Sequence, residues 1–159
     1  MKFTQLFAAM AVAAVVASPA FAIEVKKSVH VDASPADTWA AIGDFCGIAN
    51  WHPAIAKCEI FQQNKSIMRN LSLNGGGTII EKQLAWNNAK MSYSYAITES
   101  PLPVENYKST ISVKKSKGGS TIVWSGSFKA KGAPDDKAKE VITGVYDGGL
   151  ASLQKKLAK

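Results

Sequence analysis

Hydrophobic and polar residues alternate with a strand-like period through most of this chain, and towards the C-terminal end the period lengthens to that of a helix. In residues 23–32, Ile23, Val25, Val29 and Val31 fall on one side and Glu24, Lys26, Ser28 and His30 on the other. A period of two marks a half-buried strand. Ser34-Pro35-Ala36-Asp37 then reads as a helix start. Ser34 can cap, Pro35 suits the first helical position, and Asp37 favours the positive end of the helix dipole. This helix is predicted to carry Trp39 and Ile42 inward and to end near Gly43. A second short helix is predicted over 48–51, stopped by Pro53. Strand patterns follow over 57–62, 67–73, 78–86, 91–98, 107–114 and 120–129, with Met91, Tyr93, Tyr95 and Ile97 sharing one side. The connections carry turn chemistry at Asn74-Gly75-Gly76-Gly77, Asn87-Asn88, Ser100-Pro101-Leu102-Pro103 and Lys117-Gly118-Gly119.

From Ala138 the period changes. Ala138, Val141, Ile142, Val145, Tyr146, Leu150, Leu153 and Leu157 recur at spacings of three and four, one face of a long helix. A sheet with one apolar face and a helix with one apolar stripe bury them against each other. The predicted class is therefore α+β in a single domain: strand, two short helices, six strands, long helix. If the sheet curls around the helix, the space between them becomes a pocket. Gly144, Gly148 and Gly149 lie inside the helix, where each costs about 1 kcal/mol relative to Ala. They mark either room for a ligand or the sheet, or a tight helix–sheet contact or a modest kink.

The first 22 residues change the expected compartment. Lys2 supplies a positive start, residues 6–16 are apolar, and Ala20-Phe21-Ala22 is a small-x-small cleavage site. The apolar run is too short for a stable membrane span. A cleaved signal over 1–22 is expected, leaving a periplasmic domain over 23–159 with no membrane span. Loss of Lys2 takes the formal charge from +7 to +6. Arg69 is the single arginine among the 19 basic residues. Phosphate and base recognition favour the guanidinium fork, so this balance argues against nucleic acid. It leaves a solvated lysine surface, or electrostatic docking to an acidic protein or anionic surface.

Candidate chemistry is sparse. Cys46 and Cys58 are the two cysteines. In an oxidising compartment they are a disulfide candidate, with buried thiols as the alternative and metal binding a distant third. His30 and His52 are the only histidines, and no ligand pair has zinc-finger spacing. There is no Ser-His-Asp set in the pattern and no phosphate loop, since Gly75 to Gly77 sits between strands. No metal and no cofactor is expected. His52 and Glu81, facing one cavity, would suit acid–base work. Alternatively His52 caps the short helix or sits at the rim, and Glu81 pairs with Arg69 or Lys82. Tyr93, Tyr95 and Tyr107 have a sheet-core alternative. Trp51, beside His52 and Pro53, is placed for a cavity mouth.

Asp44-Phe45, Trp51-His52-Pro53, Cys58, the segment Gly75 to Glu81, the run Pro103-Val104-Glu105-Asn106-Tyr107-Lys108-Ser109-Thr110, Trp124 and the closing helix occur in one order. Together they resemble the SRPBCC superfamily, the group of START, birch-pollen-allergen and polyketide-cyclase domains. The resemblance implies a helix-grip fold: a seven-stranded curved antiparallel sheet wrapped around the C-terminal helix, with two short helices after the first strand and a ligand cavity inside. Plant abscisic-acid receptors share the Asn-Tyr-Lys-Ser run and a strand Glu. That similarity implies Glu81, Tyr107 and Ser109 facing the cavity, with His52 where those receptors place a lysine. The receptors' Pro-containing gate loop is replaced here by Asn74 to Gly77, so a hormone-receptor role is not implied. The ligand-binding set expected is Trp51, His52, Glu81, Tyr93, Tyr95, Tyr107, Ser109 and Tyr146, holding a small apolar or amphipathic molecule. The export signal, size and basic charge are closer to the periplasmic MxaD-like branch. That likeness implies a non-catalytic accessory to an acidic redox partner, methanol dehydrogenase or its cytochrome. The alternative is a polyketide cyclase/dehydratase-type enzyme using His52 and Glu81.

Overall fold

The computed structural model describes residues 22–158, so the expected export signal lies, apart from Ala22, outside the described residues. The order is β1 (Ile23–Val31), α1 (Pro35–Ile42), a 3-10 turn (Gly47–Asn50), β2 (Ile55–Gln63), β3 (Ser66–Leu73), β4 (Thr78–Asn87), β5 (Ser92–Glu99), β6 (Val104–Ser116), β7 (Gly119–Ala130) and α2 (Asp135–Lys156). Ser34 caps α1 by accepting from the Asp37 N–H, and Gly43 closes that helix at φ 77°. The expected second helix is this single 3-10 turn. Met91 stands outside β5 at φ 48°, so that strand starts one residue later than its alternation suggests.

The seven strands form one antiparallel sheet in the order β1-β7-β6-β5-β4-β3-β2. Register shifts at Ile55/Lys57, Ile80/Glu81, Gln83/Ala85 and Glu105/Lys108 interrupt the ladders. Such bulges bend a strand and increase its twist, which lets the sheet curl. α2 packs along β1 and β7 inside this curve, giving the helix-grip arrangement. None of the described helices is long and apolar enough to cross a membrane.

The helix stripe is narrower than its sequence suggests. Ala138, Ile142, Tyr146, Gly149, Leu150 and Leu153 are buried, whereas Val141 remains 37% exposed. Val141 is about 100° around the helix from Ile142, off the buried stripe. The glycines divide. A Cβ on Gly149 would lie 2.7 Å from His52 and Trp124 and 3.1 Å from Trp51, so the helix needs a bare backbone there. A Cβ on Gly144 would meet nothing within 4 Å.

Register decides which residues meet inside. Arg69 lies opposite Glu81, and Glu81 opposite Ile97. Next to this row, Tyr95 pairs with Ser109, Ser109 with Gly126 and Gly126 with Val25. The second row lies beneath α2, whose Tyr146 hydroxyl meets Ser109 and Gly126.

Candidate functional site: a small apolar cavity beside a buried ion pair

Between α2 and the sheet lies a cavity of about 120 Å³. Ile48, Ala54, Ile55, Leu71, Leu73, Ile79, Ile97 and Leu102 form most of its wall, and Ile142 and Val145 of α2 close one side. Trp124, Tyr95 and Tyr107 add aromatic surface, and His52 and Glu81 border a space whose surface is almost wholly apolar. Drug-sized pockets run to about 300–1,000 Å³, and this space is well below that range. An apolar cavity of about 150 Å³ admits benzene, which sets the scale of an occupant.

Glu81 is held by the one arginine. Arg69 Nε donates to Glu81 Oε2 at 2.5 Å, with both side chains sealed from solvent. Arg69 Nη1 donates to the Phe45 carbonyl. The guanidinium lies 4.1 Å from the Phe45 ring centre and 4.9 Å from that of Tyr95, within cation–π range. Arg69 Nη2 is buried with no hydrogen-bond partner among the described residues. Burial raises the Glu81 carboxyl above the usual carboxylate range, and the guanidinium offsets this only in part. Burial works against the charge on Arg69, but Glu81, Tyr93 and Tyr95 outweigh it and hold the arginine firmly protonated.

His52 is a neutral, fully engaged ring. Nδ1 accepts from the Ala54 N–H at 3.2 Å. Nε2 therefore carries the proton and donates to the Val145 carbonyl at 3.0 Å. Burial lowers its pKa, as does the charge on Arg69, while the bond to Val145 opposes them.

The tyrosines form a chain with a fixed direction. Ser109 Oγ donates to the Ser125 carbonyl at 2.8 Å, and a carbonyl can only accept. Tyr146 must then donate to Ser109 at 2.9 Å, and Tyr107 to Tyr146 at 2.6 Å. Tyr95 completes the order with a long 3.5 Å contact to Tyr107. Trp124 Nε1 sits 3.1 Å from Tyr95 Oη and 3.0 Å from Ser109 Oγ, donating to both. Gly126 makes this possible, because a Cβ there would overlap the Tyr146 hydroxyl. Burial raises Tyr95 and Tyr107 well above the usual phenol range and Tyr146 to about 12, so all three stay protonated.

The sequence profile of the family described as "Polyketide cyclase / dehydrase and lipid transport" matches residues 22–158. The chain belongs to this family. Among solved structures it is similar to the protein XoxI from Bacillus cereus, with 32% identity and a TM-score of 0.79 over 84% of this chain and 94% of that one. A Bacillus thuringiensis protein is 31% identical with a TM-score of 0.79, over 85% of this chain and 98% of that one. The Zhui aromatase/cyclase from Streptomyces sp. R1128 is 18% identical with a TM-score of 0.68, over 86% of this chain and 93% of that one, and shows the fold alone. No curated protein gave a significant match.

Within this polyketide-cyclase fold the eight expected site residues separate. His52, Glu81, Tyr95 and Tyr107 line the cavity. Trp51, Tyr93, Ser109 and Tyr146 are not among its lining residues. Trp51 is not an exposed aromatic at a mouth: it is 3% exposed, and its Nε1 donates to the Ile42 carbonyl at 3.0 Å. Tyr93 stacks on Trp86 at 4.9 Å. Ser109 and Tyr146 belong to the hydroxyl chain. Cys46 and Cys58 are joined, tying the turn before the 3-10 segment to β2. A Ser-His-Asp contact does occur, in a place the pattern did not suggest. His30 lies 3.0 Å from Ser116 Oγ and 3.4 Å from Asp32, with side-chain exposures of 46% for His30 and 71% for Asp32. It sits open to solvent. Arg69 was foreseen only as one possible partner of Glu81. Being the single arginine in a lysine-rich chain was the available signal for its importance.

Proposed function

We propose that the chain is a non-catalytic binding protein that holds a small, mainly apolar molecule in the cavity under α2. The carrying observation is the cavity itself: a largely aliphatic wall with α2 as one side, in a family whose description includes lipid transport. The commitments of His52 favour binding over a cyclase reaction. A general base needs a free lone pair within reach of the substrate proton, and both ring nitrogens are occupied. Toluene is expected to bind saturably, shifting the methyl resonances of Ile79, Ile142 and Val145 while distant methyls stay fixed. Absence of saturable shifts at millimolar toluene would sink the proposal.

The accessory role is the finer part of the same reading. In it the protein is exported to the periplasm, loses residues 1–22, and docks on an acidic redox protein such as methanol dehydrogenase or its cytochrome. The charge distribution supports this. By register Lys26, Lys82, Lys108 and Lys114 stand on the solvent side of the sheet, among Ser94, Thr110, Thr121, Ser125 and Ser127. None of these four lysines has an ion-pair partner among the described residues. Opposite charge across an interface speeds encounter, and salt screens it. Association with such a partner should accelerate at least tenfold between about 150 and 15 mM salt, and the Lys26→Glu/Lys108→Glu variant should lose that dependence. A salt-independent association rate in stopped-flow measurements would rule this docking mode out.

A further inference from the structure

The two edges of the sheet differ. β1 packs against α2, where Gln154 Nε2 donates to the His30 carbonyl at 2.9 Å and Lys27 bridges Asp147 at 3.0 Å. β2, the opposite edge, has no such guard. Among the described residues only β3 hydrogen-bonds the backbone of residues 57–63, so an outer row of N–H and C=O groups is open. Edge strands are ordinarily shortened, bulged or charged against pairing with another chain. This one runs regularly from Lys57 to Gln63, beyond an irregularity at Ile55/Lys57. Every side chain in that stretch except Cys58 is exposed.

Apolar surface collects at the same edge. Four of the five exposed large apolar side chains among the described residues are here: Ile60 and Phe61 on β2, Ile67 on β3 and Leu84 on β4. The fifth, Val141, is on α2. Ile60 stands opposite Arg69 and Ile67 is two residues from it, so both share the face that carries the buried ion pair. Phe61 is on the other face with Lys57 and Glu59. Charge on this strand is balanced, because Lys57 bridges Glu59 at 2.9 Å. The lysines that would draw an acidic partner, Lys26, Lys82, Lys108 and Lys114, stand on other strands.

We propose that β2 is a self-association edge, pairing antiparallel with β2 of a second copy about a two-fold axis at Ile60. This goes beyond the binding role and does not depend on the cavity. Centring on Ile60 keeps the ladder within the regular stretch 57–63. Ile60 then meets the second copy's Ile60, flanked by Ile67 from each side. Across the interface Phe61 meets Glu59, Cys58 meets Gln62 and Lys57 meets Gln63. Like charges directly opposite are destabilising, and this register has none. Centring on Glu59 would set two carboxylates face to face, and centring on Cys58 would draw the Ile55/Lys57 irregularity into the ladder. The chain carries a formal charge of +7, so two copies repel, and a strand with one lysine and one glutamate adds nothing to that repulsion. The same patch serves both copies, so the contact closes at two and does not propagate.

The test is sedimentation velocity of the oxidised protein from about 10 μM to 1 mM, a range suited to a small interface. A reversible monomer–dimer equilibrium is expected. Ile60→Lys should weaken it by about tenfold or more, since two ammonium groups replace an apolar pair. Val141→Lys should leave it unchanged. Oxidised Ile60→Cys should give a covalent dimer joined at position 60, because directly paired residues have Cα atoms about 4.5–5.5 Å apart, within disulfide reach. Ile60 is 51% exposed, so neither substitution disturbs the core. A monomer at every concentration, the result if the edge instead takes an extended segment of another protein, overturns the proposal. So does a dimer that Ile60→Lys leaves intact, or an Ile60→Cys variant that forms no link at that position. Toluene binding should be the same in Ile60→Lys, so this proposal and the binding role fail separately.

Discussion

Glu81→Leu is expected to destabilise the fold by about 3–5 kcal/mol, the cost of leaving a buried charge without its partner. In a domain of this size that lowers the melting temperature by roughly 10–20 °C. Arg69 is wholly inaccessible and is held charged mainly by Glu81. Its other contacts, the Phe45 carbonyl and the rings of Phe45 and Tyr95, do not supply a counter-charge. With Glu81 gone, the guanidinium must stay charged in an apolar interior or drag water into it. Removing both charges is a different case. Arg69→Met/Glu81→Leu replaces the pair with aliphatic surface of similar bulk, and such replacements are often neutral or stabilising. The double variant should therefore recover most of the stability lost by the single one, as read from urea unfolding curves. A single-variant loss below about 1 kcal/mol, the ordinary worth of an exposed pair, would show that water reaches Arg69.

Opening the Cys46–Cys58 bridge should cost about 3 kcal/mol, the chain-entropy value for a closed loop of this length. The bridge spans 12 positions, and its effect extends beyond the loop. Cys46 follows Phe45, whose carbonyl takes the Arg69 Nη1 proton and whose ring covers the guanidinium. Cys58 lies on β2, directly opposite Leu71 of the cavity wall. The disulfide therefore pins the lid of the ion pair to the strand beside the cavity. Two results are expected when Cys46→Ala/Cys58→Ala is compared with the oxidised protein. Its free energy of unfolding should fall by the amount above. Combined with Glu81→Leu, the losses should be non-additive by at least 0.5 kcal/mol, as for groups within one network. Strict additivity would mean that the bridge and the ion pair stabilise the fold independently.

Local pattern was sufficient for the elements. A period of two named the strands, a period near 3.6 named α2, and Ser34-Pro35 and Gly43 bounded α1, because these signals depend on a residue and its near neighbours. The order of elements and the family resemblance together specified the helix-grip. Boundaries slipped where backbone conformation overrode alternation, as at Met91 with its positive φ. The site was less legible. Four of the eight expected residues reach the cavity, and four went elsewhere for reasons that lie across the chain. Trp51 turns inward because Gly149, almost a hundred positions away, leaves space for it. Tyr146 is drawn into the hydroxyl chain because Gly126 lets it approach β7.

What the sequence determined by itself is the set of pieces: seven strands, a long apolar-striped helix, one arginine, the glutamate Glu81 on a strand, and two cysteines. Tertiary structure alone decided their partnerships. A shift of one residue in register would turn Glu81 to solvent, and only the paired ladders fix it opposite Arg69. The size of the cavity was likewise beyond reach of pattern. It is the small remainder after Trp124, the tyrosines and the Arg69–Glu81 pair fill the space under α2, and a remainder depends on every side chain that surrounds it.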